Sequence, residues 1–398
     1  MTFSQSVACV LLVIGVGLAS NAFTFGQENT TDLGKNAALK YWMAFAVMPE
    51  LDTQDRKLLS TPSKVAVNKH TRALVKKAKT SLTLLHRGAS IQPCNWGYEL
   101  REGTNWLLPH IGRARDLARL ATLRARVRLK DGDVQGGTDD LLAAMKLAHH
   151  VGKGGLLIEI LVEWGLRHIA LKTAAADLAA MTPAQRKQLA ANLQKLPPLP
   201  KTVTGTRMEK KAGYRSITYL LRAGKFEQVF GYMTNPERGE KYIRAVNAVA
   251  KALKNPATQK KAITEFEAIY DRTIQNAALP HFQSVKKLKA LQDELQNKRE
   301  KLLQNPKANA TDYLACELTP RVLQIKISEA SARIYQKMML AAIAYANDGA
   351  EAASKIVDPI TGKAFKITPI KGKSGWIELR STITYLHGEP MLLEVRWK

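Results

Sequence analysis

Between about residues 34 and 348 the apolar residues recur at the spacing of an α-helix, and only after residue 355 does the period fall to two. That switch sets the expected fold class: a mainly α chain, a helical bundle or short αα-solenoid, closed by a small C-terminal antiparallel β element.

The helical stretches can be read one by one. KNAALKYWMAFAVM (35–48) places Leu39, Trp42, Met43 and Ala46 on one stripe, and Pro49 ends it. Residues 62–88 read as one helix, with Val65, Leu74, Ala78, Leu82 and Leu85 on a broad face and Gly88 as its stop. Pro109 opens a helix to about Lys130. Its small-residue face (Ala114, Leu117, Ala118, Ala121, Ala125) lets a neighbour come close, while arginines spread around the remainder. Asp131, Gly132 and Asp133 make a turn into a second helix, which HHVGKGG closes. Residues 156–181 are apolar almost all round, which predicts a helix at the centre of a bundle. Thr182 and Pro183 suit the start of the next helix, and the rigid PPLP run at 197–200 marks a boundary.

The expected organisation is therefore a signal peptide at 1–22, a helical subdomain at 34–196, a more basic helical subdomain at 201–348 and a β-rich element at 355–398. In the last, Phe365/Ile367, Ile377/Leu379 and Leu393/Val395/Trp397 alternate with polar residues between turn signals. Such a sheet is too small to stand alone and should pack on the last helix.

VACVLLVIGVGLA (7–19) followed by SNA (20–22) reads as a secretory signal cut after Ala22, giving a secreted or periplasmic protein of a bacterial envelope. The preceding MTFSQS lacks Lys and Arg, so an uncleaved N-terminal anchor is the runner-up. No membrane span is expected after signal cleavage. Cys94 and Cys316 then remain. In an oxidising compartment they can form a disulfide, and otherwise they read as two small buried hydrophobes.

Charge narrows the partners. Lys and Arg number 60 against 34 Asp and Glu, a formal net charge of +26, which favours an anionic envelope polymer or another acidic partner. The cations are spread along the whole chain, a distribution that also serves solubility. The basic helix 113–130 does not read as a nucleic-acid interface, because its arginines surround the helix and no aromatic platform is interleaved.

The stretch before that helix reads as a structural joint built on Cys94, Trp96, Gly97 and Trp106, continued by Arg113, Arg115 and Asp116. Arginines buried in a bundle need acids, here Asp116, Glu99 or Glu102. Chemistry is weakly signalled. Glu159 and Glu163 share a helix face and could do acid–base work with His110, but Arg167 stands four residues beyond Glu163 in ion-pair order. His149 and His150 suit the negative end of a helix dipole. No histidine has zinc spacing, and there is no phosphate loop or dinucleotide fingerprint, so neither metal nor cofactor is expected.

Two resemblances follow from these motifs. Residues 118–154 resemble a tetratricopeptide-type helical hairpin, although Gly137 stands near the usual Ala, the terminal proline is missing and no second copy follows. CNWG (94–97), the LPH-arginine helix and DPITGKAFKI together resemble uncharacterised secreted α-helical proteins of planctomycete-type bacteria. That resemblance implies location and fold class and no chemistry. The leading expectation is a non-enzymatic scaffold or binding protein of the envelope. The alternatives are an envelope hydrolase using Glu159, Glu163 or His110, and a structural envelope component.

Overall fold

A computed structural model of the chain describes residues 34–97, 108–222, 239–385 and 388–398. The signal-like segment, Glu99, Glu102 and Trp106 lie outside these residues. The chain is mainly helical with a three-stranded antiparallel sheet near its C-terminus. Among the described residues no helix is long and apolar enough to cross a membrane.

Helix α1 (Ala37–Ala46) begins where the Asn36 side chain accepts from the Ala38 amide at 3.1 Å. Helix α2 (Thr53–Ser60) starts on a reciprocal Asp52–Asp55 capping box. The single helix expected over 62–88 is instead a short 3₁₀ turn (Pro62–Lys64), α3 (Lys69–Lys77) and α4 (Lys79–Ala89). Asn68 and Thr71 form a second capping box that restarts the helix, and Ala78, at ψ 4°, breaks it again. Periodicity alone concealed both breaks, since the apolar face continues across them.

Helices α5 (Pro109–Lys130), α6 (Val134–Gly152) and α7 (Leu157–Ala176) follow and pack consecutively. The expected small-residue face of α5 is wholly buried. Gly137 permits its close approach to α6, because a Cβ there would lie 2.8 Å from Leu129 Cγ. Then come α8 (Pro183–Lys195), α9 (Thr202–Arg222), α10 (Glu240–Ala252), α11 (Pro256–Ala278), α12 (His281–Gln304), α13 (Tyr313–Leu318) and α14 (Val322–Ser354), the last broken at Gly349 by its φ of 85°.

Strands β1 (Lys366–Pro369), β2 (Trp376–Thr384) and β3 (Pro390–Arg396) pair in that order. The register sets Ile367 opposite Leu379, Leu379 opposite Leu393 and Ile377 opposite Val395, so the expected apolar face forms. Its buried residues join α6, α7, α8 and α14 in one core, while a second core gathers α1, α4, α5 and α6, and a third gathers α9, α10, α11 and α13. Helix α8 ends at Lys195 and α9 begins at Thr202, and α14 returns to pack on α7 and α8. Arg186 of α8 fastens this return: it donates to the carbonyls of Leu178 (3.2 Å), Ala346 (3.0 Å) and Trp397 (3.3 Å). DPITGK is a structural turn. Buried Asp358 accepts from the amides of Ile360 (2.8 Å) and Thr361 (3.2 Å) and from the Ser381 hydroxyl (2.5 Å).

Candidate functional site

The sequence-derived candidates converge on the junction of α1, α5, α6 and α7. Trp96 is buried there. Its ring stacks on His110 with centroids 4.5 Å apart, and on Phe45 and Tyr41 at 6.1 and 5.6 Å. Its Nε1 donates to the His150 carbonyl at 2.9 Å. The Tyr41 hydroxyl and His150 Nδ1 share a 2.8 Å hydrogen bond. Burial, aided by His149 and Lys153, pushes the His150 pKa down from 6.5 to about 4, so this ring is neutral at pH 7. Gly97 carries the chain away at φ 72°, and Cys94 packs on the same core.

Both carboxylates of α7 are consumed. Glu159 is fully buried; its Oε2 accepts from the Leu156 amide at 3.0 Å and its Oε1 lies 3.3 Å from His110 Nε2. Beside it, Glu209 of α9 accepts from the Leu157 amide at 3.0 Å, and burial holds this carboxyl above the usual range. Two acids thus serve the positive end of one helix. Glu163 lies 2.6 Å from Arg167 and 3.4 Å from His149 Nδ1. Gly152 makes room for it, since a Cβ on that residue would overlap Glu163 Oε2. Arg167 in turn donates twice to the Pro197 carbonyl, both at 3.1 Å, and burial lowers its pKa. The expected intrahelical pair is present, and His149 is drawn to Glu163 as well.

The arginine seam keeps Asp116 beside Arg119 and adds acids that the sequence reading did not name. Arg124 and Arg128 share a face one turn apart and both reach buried Asp140 of α6, at 2.5 and 3.1 Å. His86 Nε2 meets the same carboxylate at 2.7 Å. Arg126 pairs with Asp177 at 2.8 Å and donates to the carbonyls of Pro62 and Val65. Asp116 faces Arg56 at 3.5 Å and Arg119 at 4.0 Å. Arg113 and Arg115, expected within the joint, are exposed, because their positions fall off the alanine face of α5. Trp106, the remaining member, is outside the described residues.

Of the two readings open for Cys94 and Cys316, the paired one does not form. Both are free thiols: Cys94 belongs to the α1–α6 core, whereas Cys316 sits in α13 with its Sγ 3.7 Å from the Leu295 carbonyl. Burial pushes each thiol up to about 12, which keeps it protonated and unreactive.

A crevice of about 200 Å³ lies on the other side of α7, between Trp164, His168, α14 and Tyr385. The Tyr385 hydroxyl stands 3.0 Å from that of Tyr335 and 3.2 Å from that of Ser331. His168 meets the Tyr335 ring edge-on at 4.0 Å, and burial, then Lys172, pushes its pKa down to about 3. Three hydroxyls and a neutral imidazole can exchange hydrogen bonds with a small polar molecule, without a charged base. These residues were not legible in sequence: His168 hides in an apolar helix, and Tyr335 and Tyr385 lie 50 positions apart.

A wider groove of about 510 Å³ runs between α12, α13 and the start of α14. Arg299 crosses it, donating to Glu317 Oε1 at 2.8 Å and to the Cys316 carbonyl at 3.1 Å. Among the described residues no group of three or more His, Cys, Asp or Glu is placed to hold a metal ion. No family model matches the chain, and no curated protein or solved structure matches it.

Proposed function

We propose that this chain is a non-enzymatic helical binding protein of the bacterial cell envelope that holds an anionic partner. One observation carries the reading. The acids with the best claim to chemistry, Glu159 and Glu163, are 0% and 1% exposed and engaged by a helix terminus, His110, His149 and Arg167. A hydrolytic carboxylate has to reach substrate. One row of cations has the opposite disposition. Arg207, Lys211 and Arg215 recur every fourth residue on the exposed face of α9, beside exposed Tyr214 and Tyr219. The concave surfaces at α7/α14 and α12/α13 favour binding over a purely structural role in the envelope.

The test is retention of acidic envelope material by the immobilised protein at low salt, with release as ionic strength rises. Salt-insensitive capture, or cleavage of envelope polymer that Glu159→Gln abolishes, would overturn the reading.

A further inference from the structure

We infer that the outer end of the C-terminal sheet is a binding site for an acidic saccharide, a glycan bearing uronate carboxylates. The inference rests on the anionic-partner reading and gives it a ligand class and a place. A cup of about 610 Å³ opens between α14 and the turn joining β1 to β2, lined by Tyr345, Lys373, Trp376, Trp397 and Lys398. The sheet's alternation puts the two indoles on opposite faces. Ile377 and Leu379 point to the core, so Trp376 points outward, directly across from Arg396. Trp397 continues the inward row of Leu393 and Val395 and meets Tyr345 edge-on at 5.2 Å. Both indoles remain half-buried at the rim of one concavity.

Each carries a cation. Lys373 Nζ lies 5.5 Å from the Trp376 ring centre and Lys398 Nζ lies 4.3 Å from that of Trp397. Exposed Lys371 and Arg396 add positive charge at the same end, and Glu394 reaches Lys373 at 3.2 Å on a solvent-exposed pair that a ligand carboxylate can replace. A pyranose ring offers an apolar C–H face to an indole, and a uronate adds a carboxylate at its edge. Each indole and its lysine supply both complements, with the ammonium 5.5 or 4.3 Å from the ring centre. Single-stranded nucleic acid would need successive aromatic faces along a basic track, whereas these two rings lie on opposite faces of the sheet.

The test uses the full chain with oligogalacturonate, its methyl ester, polyphosphate and a single-stranded oligonucleotide, followed by calorimetry and tryptophan emission. Expected are saturable binding of oligogalacturonate, binding at least tenfold weaker for the ester and for Trp376→Ala, threefold weaker for Lys373→Gln, and unchanged for Lys286→Gln on α12. Circular dichroism checks that each variant is folded, and Lys373→Gln leaves the indoles in place should Trp376→Ala unfold. If polyphosphate or the oligonucleotide binds as well as oligogalacturonate, or Trp376→Ala and Lys373→Gln bind as the parent does, the cup is overturned while the anionic-partner reading stands. If no polyanion binds, both fall.

Discussion

Glu163 Oε1 lies 2.6 Å from the Arg167 guanidinium, with the two residues only 1% and 4% exposed. Breaking such a pair from one side strands a charge in the core. Glu163→Leu or Arg167→Met alone should cost about 3–5 kcal/mol. The double variant should recover most of that loss in a denaturant-melt cycle. Single costs below about 1 kcal/mol would mean that the pair is solvated.

The same carboxylate explains Gly152. Gly152→Ala should destabilise by about 2 kcal/mol or more through overpacking against Glu163. Gly112 sits exposed within α5, with open space where an alanine methyl would stand, so Gly112→Ala should gain up to about 1 kcal/mol. Equal effects at the two positions in a urea titration would refute the contrast.

Trp96→Ala removes a buried ring stacked on His110 and Phe45 and should cost about 3–5 kcal/mol. Trp96→Phe keeps an aromatic ring but leaves the His150 carbonyl without its donor, a loss of about 1–2 kcal/mol. Thermal melts that rank the two variants in the reverse order would remove the joint reading.

Acid should loosen the fold through two histidines. His150 and His168 have folded pKa values depressed from 6.5 to about 4 and about 3. As pH falls below 6.5 the unfolded chain takes up protons first. Their contribution is complete above that pH and is lost as pH falls through the folded values. His168→Gln should flatten the lower part of the stability–pH curve; an unchanged slope would show that this ring titrates freely.

Legibility in the sequence followed the range of the physics. Patterns repeated every two or four residues identified the fold class, the buried alanine face of α5 and the inward row Leu379, Leu393 and Val395, because each depends on neighbours along one element. The breaks at Asn68 and Ala78 escaped, since capping there competes with an uninterrupted apolar face. Within the site, Trp96 and the Glu163–Arg167 pair were readable from spacing. Asp140 and Asp177 were not recognised as arginine partners, and the grouping of His168 with Tyr335 and Tyr385 was invisible, because only tertiary packing brings those residues together.

Arg186 makes its three hydrogen bonds to positions separated from it by 8, 160 and 211 residues. The chain through Trp397 must therefore emerge from the ribosome before that guanidinium can be satisfied. Loop-closure entropy makes contacts of such span slow to form. Until Trp397 arrives, α8 holds an incomplete arginine shell, leaving an interval in which a nascent chain can be kept from sealing.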